Sequence, residues 1–404
     1  MYVMPRNNVN LSIQTIFRVL FDFGLRPRTG VNYVQEFQRK FSDYIGSKFA
    51  VGFSSARVGL YILLKNLDLQ PGDEIILSAY NFPPILMLVK LLGYKPVFVD
   101  IKKGTANIDV DKIEEALSFK SKVIFVSHMY GYPANMEKIM LLAKKHKLFV
   151  IEDCAHALGA KYQQHRLGAL SNAAIFSFGY GKIMPCFGGG MVTLKDEKLY
   201  YKLKQVGDNE KDYLPLKPFL KTLFFYFFTH KNIFPWTIFP LIRIKPSLGD
   251  QAIREENRNN LEDYAKIKLG LSKMQAKTGI LQLDNLEKYL YKNKTNATLF
   301  DLLFNSNRNI EIIKKEENSE PAYLHYRLKV NNIDRYRKDL LKKGIDTKSD
   351  CNCTPHEFGA LFGENKEFKY AEELKNSNIE IPNGPDLSEA DVAYIAQKVN
   401  SVGD

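Results

Sequence analysis

Short apolar runs of strand length alternate with amphipathic stretches between residues 49 and 194, and this pattern constrains the fold most strongly. The runs are EIILSA (Glu74 to Ala79), KPVFVDI (Lys95 to Ile101), KVIFVSH (Lys122 to His128) and LFVIEDC (Leu148 to Cys154). Between them lie stretches with helical spacing, such as DVDKIEEALSF and NMEKIMLLAKKH. Alternation of this kind predicts parallel strands joined by crossover helices, and therefore an α/β fold.

The length of 404 residues allows two domains, and a hydrophobic content of 45% supports sizeable cores. We expect an N-terminal amphipathic helical segment over residues 1–29, a large domain over 30–255 and a small C-terminal domain over 256–404. There are only four cysteines and no secretory signal pattern, which predicts a reducing, cytoplasmic location. The net charge of +12 suits anionic partners, but charge alone does not choose among nucleic acid, membrane and phosphorylated small molecules.

Three candidate site elements follow the predicted strands. Asp153 ends the run LFVIEDC, and Lys182 lies just beyond the run AAIFSF. Ligands of parallel sheets bind at the carboxyl ends of the strands, so both residues are expected at that edge. The small residues of FSSA, which include Ser55 and Ala56, precede an apolar helical stretch. Such a helix start can bind a phosphate, although a serine there is also an ordinary N-cap.

Together these elements are what pyridoxal phosphate chemistry requires. A lysine amine can bond covalently to the cofactor aldehyde, and a carboxylate can keep the pyridine nitrogen protonated so that the ring accepts electrons. A helix N-terminus can hold the phosphate. The lysine could instead be a solvated loop residue and the aspartate a cap at a strand end.

At this point the sequence resembles the DegT/StrS-type aminotransferases of the fold-type-I pyridoxal phosphate superfamily, best known for aminating keto sugars attached to nucleotides. The motifs that carry the resemblance are LQPGDEIILSAYNFPPI, HMYGYPANM, IEDCAHALGAKY and SFGYGKIMPCFGGGMV. The resemblance implies a large domain with a mostly parallel seven-stranded sheet between helices, and a smaller C-terminal α+β domain. It also implies a homodimer that uses pyridoxal 5'-phosphate, a keto-sugar acceptor and an amino donor, with glutamate expected.

The resemblance gives roles to individual residues of this sequence. Lys182 ends an S-F-x-x-x-K segment that matches the cofactor-binding lysine, and Asp153 matches the carboxylate that pairs with the pyridinium. His156 matches the polar residue that contacts the ring oxygen, with an ordinary packed histidine as the alternative. The other cofactor contacts that it implies are Ser55, Ala56, Arg57 and Ser177 at the phosphate, and Phe82 stacked on the ring. Arg57 could equally point to solvent, and Phe82 could equally belong to the core.

Two departures from the family pattern affect the substrate side of the site. Phe187 and Gly188 stand where the family has Gly and Glu, which removes an expected carboxylate. Lys268 stands where the family commonly supplies an Asn from the neighbouring subunit to the cofactor phosphate, and Gly270 replaces its Arg. Lys268 could still bind phosphate as a point charge. These changes indicate a divergent branch.

The largest departure is the segment 213–249, which contains the only tryptophan, many phenylalanines and no acidic residue. Lys221, His230 and Lys231 interrupt the apolar run, so a membrane-spanning helix is not expected. Basic residues among aromatics suit a segment lying on an anionic membrane surface, and a buried subunit interface is the alternative. The basic, amphipathic stretch LSIQTIFRVLFDFGLRPR near the N-terminus favours the membrane surface.

No metal site is predicted, because the CNCTPHE segment (Cys351, Cys353, His356) lacks the second ligand pair of structural zinc. The sequence therefore predicts a pyridoxal phosphate-dependent aminotransferase that transfers an amino group to a nucleotide-linked or lipid-linked keto sugar. It is expected in the cytoplasm, peripheral at the inner face of the membrane, with no nucleic-acid partner. Two alternatives remain: a sugar dehydratase of the same fold, and a membrane-attached binding or regulatory protein without turnover.

Overall fold

The computed structural model describes residues 2–6, 8–22, 31–208, 213–244, 268–349, 352, 354–358 and 366–402. Its strands are β1 (Phe49–Phe53), β2 (Glu74–Ser78), β3 (Lys95–Val99), β4 (Ser121–Ser127), β5 (Phe149–Asp153), β6 (Lys161–Tyr162), β7 (His165–Arg166), β8 (Ala173–Ser177), β9 (Gly190–Leu194), β10 (Ile310–Ile312), β11 (Ser319–Glu320), β12 (Tyr326–Val330), β13 (Lys348–Ser349) and β14 (Asn378–Ile381).

The α-helices are α1 (Ile13–Leu20), α2 (Tyr33–Ile45), α3 (Ala56–Asn66), α4 (Pro83–Leu91), α5 (Met136–His146), α6 (Glu197–Asp208), α7 (Leu216–Phe228), α8 (Ile238–Ile244), α9 (Lys273–Phe304), α10 (Ile333–Lys342), α11 (Lys369–Ser377) and α12 (Glu389–Asn400).

The central sheet has seven strands in the order β1-β9-β8-β5-β4-β2-β3. The pairs β2–β3, β2–β4, β4–β5 and β5–β8 are parallel, and only β9 runs antiparallel to its neighbours β8 and β1. The four apolar runs singled out above form β2, β3, β4 and β5. The predicted mostly parallel seven-stranded sheet of an α/β fold is therefore confirmed.

Side chains of each central strand pack into two cores, one on each face of the sheet. Along β4, Val123 and Phe125 belong to one cluster, and Ile124 and Val126 belong to the other. All four are almost completely buried, because helices cover both faces. The period of two along a strand thus divides the apolar residues between the two layers.

Capping residues fix several helix starts. Ser55 caps α3, Asn135 caps α5, and Ser272 caps α9 in a capping box with Gln275. One prediction is wrong: the DVDKIEEALSF stretch forms two 3₁₀ turns rather than an α-helix. Its buried residues Val110 and Ile113 lie three apart, which matches the three-residue turn of a 3₁₀-helix.

The C-terminal part contains a separate antiparallel sheet in the order β10-β12-β14-β13, with α10, α11 and α12. This is the predicted smaller α+β unit. A small third sheet pairs β11 of the C-terminal part with β6 of the N-terminal part. The long helix α9 contacts α2 in the N-terminal part and α12 in the C-terminal part. The third sheet and α9 therefore connect the two parts of the chain. The domain boundary predicted near residue 255 lies outside the described residues, as do Cys351 and Cys353.

The described part of the segment 213–249, residues 213–244, forms α7, a 3₁₀ turn and α8. Within the described ranges, no helix is long and apolar enough to cross a membrane. The N-terminal amphipathic stretch forms α1, which Ser12 caps.

Candidate active site

Four predicted site residues gather at the carboxyl edge of the parallel sheet. Asp153 is the last residue of β5, and Ser177 is the last residue of the neighbouring strand β8. His156 follows β5 by three residues, and Lys182 follows β8 by five. Because β5 and β8 run parallel and adjacent, their ends bring these side chains to one place.

Asp153 is a carboxyl group in a low-dielectric position. Burial raises the pKa of Asp153, while a hydrogen bond from the Ala155 N–H at 3.0 Å and the nearby charge of Lys182 oppose that shift. A group in this state is stabilised as a carboxylate by any further cation that binds beside it. The site can therefore hold a positively charged ring next to Asp153.

His156 is a neutral imidazole. Burial and the positive charges of Lys182, His325, Lys348 and Arg327 hold the pKa of His156 well below its usual value. A neutral imidazole can donate one hydrogen bond and accept another. The contact predicted for His156 with a ring oxygen is chemically compatible with this state.

Lys182 lies in a turn that begins where β8 ends. The Lys182 N–H donates to the Gly179 carbonyl at 3.0 Å, and the Phe178 N–H donates to the Gly189 carbonyl at 3.0 Å. A methyl group built on Gly179 would lie 3.9 Å from Ser177 Oγ and 4.0 Å from Lys182 Cγ. The Ser177 hydroxyl and the Lys182 stem therefore flank the same glycine.

The glycine run after Lys182 lets the chain pass against the N-terminus of α3. Gly189 forms an isolated β-bridge with Ser55. A Cβ atom added to Gly190 would lie 2.3 Å from the Ala56 nitrogen, which is closer than real Cβ contacts. Gly188 and Gly189 also adopt positive φ angles of 90° and 95°. The run brings the start of α3, including Ser55 and Ala56, to the loop that carries Lys182.

The remaining predicted cofactor contacts are Arg57, Phe82 and Lys268. Arg57 is half-buried in the first turn of α3, and Phe82 is half-buried at the start of α4, against the edge of a core cluster. Lys268 is exposed, but the carbonyl of the next residue, Leu269, accepts a hydrogen bond from the Ser54 N–H at 2.9 Å. Lys268 thus lies beside the start of α3 in its own chain.

The departure Phe187–Gly188 has a clear structural role. The Phe187 carbonyl accepts a hydrogen bond from Gln275 Nε2 at 3.1 Å. The buried Phe187 ring packs against Phe219 of α7, with 4.9 Å between the ring centroids. A side chain at Gly188 would approach Gln275 and Pro218 at 3.2–3.3 Å. The space where the family has a glutamate is therefore used for packing α7.

His128 and Glu152 form a buried pair next to the strand end that carries Asp153. His128 Nε2 donates to Glu152 at 3.1 Å, while His128 Nδ1 accepts the Ala134 N–H at 3.1 Å. Burial raises the pKa of Glu152, but hydrogen bonds from His128, Ser171 and Gly168 outweigh it and keep the pKa below its usual value. Cys154 lies close to this pair, and all three are buried. With its partners satisfied, the cluster is a structural support behind Asp153.

Sequence reasoning missed a second group of polar residues at the same edge, contributed by β12 and β14. Arg327 contacts Glu380 at 2.5 Å and lies 4.3 Å from the centre of the Tyr130 ring. His325 lies 3.1 Å from Glu380, and its ring packs edge-on to His156 at 5.3 Å. The Tyr130 ring is parallel to that of His156 at 6.3 Å. No sequence signal pairs these residues, because Arg327 and Glu380 meet only through the register of two strands.

The chain is similar to known proteins of one family. The model of the DegT/DnrJ/EryC1/StrS aminotransferase family matches residues 27–233 and 237–400. The chain is 37% identical over 169 residues to GDP-perosamine synthase of Escherichia coli O157:H7, a match that covers 42% of this chain and 46% of that protein. It is 40% identical over 171 residues to dTDP-3-amino-3,6-dideoxy-alpha-D-galactopyranose transaminase of Aneurinibacillus thermoaerophilus, covering 42% and 47%. The chain thus aligns with about half the length of these relatives.

The fold is also that of a solved structure. The sugar aminotransferase CalS13 from Micromonospora echinospora superposes with a TM-score of 0.78, covering 98% of this chain and 99% of that one at 21% identity. At this identity the likeness shows the fold alone.

Proposed function

Because the chain belongs to the DegT/DnrJ/EryC1/StrS aminotransferase family, we propose that it is a pyridoxal phosphate-dependent aminotransferase acting on a keto sugar. The observation that carries the proposal is the proximity of Lys182 to Asp153 and His156. The positive charge of Lys182 lowers the pKa of Asp153 and the pKa of His156. The curated relatives are named as enzymes of amino-sugar synthesis. We propose the same class of reaction here, with glutamate as the amino donor.

The residues present fit the cofactor. Asp153, whose pKa is raised by burial, suits the cationic ring nitrogen, and the neutral His156 suits the ring oxygen. The N-terminus of α3 suits the phosphate through its helix dipole, with Ser55, Ala56 and Ser177 as the proposed contacts. Arg57, Phe82 and Lys268 are further proposed contacts. When bound, pyridoxal phosphate supplies an electron sink for the carbon that carries the amine.

The chain's own residues then have separate tasks. Lys182 Nζ anchors the cofactor and afterwards moves a proton to or from the carbon that carries the amine. Asp153 keeps the ring nitrogen protonated. The packing of Tyr180 and Phe187 under α7 keeps water from part of the loop around Lys182.

Two alternatives are tested with the same protein. A dehydratase of this fold is disfavoured because the dehydrating relatives replace the lysine with histidine, whereas Lys182 is present. A binding protein without turnover would bind no cofactor or would not react with an amino donor.

The first test is cofactor attachment. Purified protein incubated with pyridoxal phosphate should show a visible absorbance band that bleaches on adding glutamate. Borohydride reduction followed by peptide mass analysis should find the pyridoxyl group on Lys182, because its amine lies close enough to Asp153 to affect the pKa of that carboxyl.

The Lys182→Ala variant should lose the band and all transfer, while Lys221→Ala, which removes a lysine that stacks on Tyr180 in the same region, should keep the band. A pyridoxyl group on another lysine would contradict the assignment, and the absence of any cofactor signal would favour the binding protein. A panel of keto sugars, free and lipid-linked, then identifies the acceptor through the loss of the pyridoxamine form.

We also propose that the protein is a homodimer with a peripheral position at an anionic membrane surface. The dimer rests on the family alone. The membrane position rests on the composition of residues 213–249.

A further inference from the structure

Exposed apolar side chains are concentrated on two segments of the described chain. Thirteen of the twenty-two large apolar residues that are exposed lie on α1 with its C-cap Phe21, or between residues 214 and 244. They are Ile13, Phe17, Leu20, Phe21, Leu214, Leu216, Leu220, Phe224, Phe227, Ile233, Trp236, Leu241 and Ile244. Trp236 is 84% exposed and Ile244 is 85% exposed, so they are not merely the rims of a core. Patches of this kind mark interaction sites.

The exposed residues form regular stripes. On α7, Leu216, Leu220, Phe224 and Phe227 recur at spacings of four, four and three, which places them on one helix face. On α1 and its C-cap, Ile13, Phe17, Leu20 and Phe21 recur at spacings of four, three and one, which places them on one side of that helix. We call the exposed residues of α1 and 214–244 the apolar surface.

The other faces of both helices pack against a buried cluster of the protein. Ile16 and Val19 of α1 are buried in a cluster with Phe187, and Phe219 and Leu223 of α7 pack against the same cluster. Each helix is therefore apolar on its inner and its outer side. An exposed apolar face of this size normally contacts a partner or a membrane.

The charges around the apolar surface are positive. Arg18, Lys217 and Arg243 are exposed, and residues 213–249 contain no acid. Asp22, beyond the end of α1, lies 3.2 Å from Lys277 and is 11% exposed, so it does not offset these charges at the surface. Near anionic headgroups each such cation adds to binding.

We propose that the apolar surface docks the protein on an anionic phospholipid membrane, with its stripes in the headgroup region and its cations on the lipid phosphates. This mode suits helices that are too short to span a bilayer but have a large exposed apolar face. A second copy of the chain is the competing occupant. A two-fold symmetric contact through residues 213–244 would set cations against cations, because this segment contains no acid.

The docking surface is built directly on the candidate active site. Phe225 of α7 stacks on Tyr180 at 4.4 Å with an angle of 4° between the rings, and Tyr180 precedes Lys182 by two residues. One helix thus separates the membrane side from the loop of Lys182. If the proposed function holds, the position of this surface beside the Lys182 loop suits an acceptor sugar that is carried by a membrane lipid.

The test is co-sedimentation of the full-length protein with phospholipid vesicles. Wild type should pellet with phosphatidylcholine–phosphatidylglycerol vesicles at low salt, less at high salt, and hardly with phosphatidylcholine alone. A variant with Leu220, Phe224 and Phe227 changed to Ser should bind at least about tenfold more weakly. The matched control changes three exposed apolar residues elsewhere, Phe119, Leu141 and Leu302, to Ser, and should bind like wild type.

A second variant guards against loss of the fold. Reversing Arg18, Lys217 and Arg243 to Glu changes only exposed side chains and should weaken binding roughly 100-fold. The same reversal at Lys120, Lys144 and Lys198, which are exposed on other elements, changes the net charge equally and should have a smaller effect.

Failure of wild type to bind anionic vesicles at low salt would overturn the proposal, as would equal binding by both charge variants. Loss of a dimer in the Ser variant, with no vesicle binding by wild type, would identify a subunit interface instead. The cofactor band and its response to glutamate are measured on the same samples. Failure of the proposed aminotransferase is thereby distinguished from failure of docking.

Discussion

At the scale of single residues, the environment of Asp153 sets the chemistry that this edge of the sheet can perform. Its half-buried carboxyl is partly desolvated, which disfavours the charged form, yet Lys182 and the Ala155 N–H stabilise the charge. His156 is also half-buried, and the surrounding cations help to keep its pKa well below its usual value. The site therefore offers one anionic and one neutral partner, which fits a ring that carries a protonated nitrogen and an oxygen.

Asp153→Asn should keep cofactor attachment but lower transfer. A charge-assisted hydrogen bond is worth about 1.5–3 kcal/mol, so we expect turnover to fall roughly 10- to 150-fold. Stopped-flow absorbance with glutamate measures the half-reaction. Asp334→Asn, which changes an exposed carboxylate of α10, is the control. Unchanged turnover in Asp153→Asn would remove this residue from the role.

At the scale of elements, the pairing of β12 with β14 brings a buried cation to a buried anion. Arg327 and Glu380 lie opposite each other in the strand register, and both are at most 2% exposed. Burial raises the pKa of Glu380, but the charges of His325 and Arg327 outweigh it and hold the pKa well below its usual value. The pair thus anchors the antiparallel sheet beside the candidate site.

Glu380→Gln should destabilise the protein by about 3–5 kcal/mol at pH 7, because it leaves Arg327 buried without its counter-charge. The pKa of Glu380 is lower in the folded than in the unfolded chain, so the folded state binds fewer protons. Its stabilising contribution is complete above about pH 4.3 and is lost as the pH falls from there towards the folded-state pKa.

Urea unfolding of wild type and variant across this pH range checks the prediction. The difference in unfolding free energy should be largest near neutral pH and narrow below about pH 4. Glu367→Gln, at an exposed position, serves as the control. A difference that does not depend on pH would argue against an ionised Glu380.

At the scale of the whole molecule, Tyr130 connects the central sheet to the C-terminal sheet. Its hydroxyl is hydrogen-bonded to the Tyr80 hydroxyl and accepts from Asn378 Nδ2 at 2.9 Å and Asn352 Nδ2 at 3.3 Å. The backbone of Tyr130 is left-handed, with a φ angle of 59°, which costs a non-glycine residue energy. A strained, buried residue with partners from both parts holds the two sheets in a fixed relation at the site.

Tyr130→Phe should lower the unfolding free energy by about 1–3 kcal/mol, because the amides of Asn378 and Asn352 lose a buried partner. Thermal unfolding checks this, with Tyr201→Phe as a control at an exposed tyrosine. Unaltered stability would mean that the hydroxyl does not hold the two parts together.

The sequence by itself determined the parallel sheet and the edge where the site lies. Strand-length apolar runs and their order are local properties, and parallel strands must end at a common edge, so the approach of Asp153 and Lys182 could be predicted. The helix start at Ser55 was equally local, because a cap depends on a few adjacent residues. The roles of Lys182, Asp153 and His156 came from the family resemblance and remain predictions.

Only the tertiary structure decided which distant residues surround that edge. Arg327, Glu380 and Tyr130 meet through strand register and through a contact between two sheets, and neither is encoded in local spacing. The packing of α7 on Tyr180 was likewise invisible, because an aromatic run shows that a helix needs partners but not which face each partner covers. Pairing between segments far apart in the chain depends on the whole fold, so no local pattern can supply it.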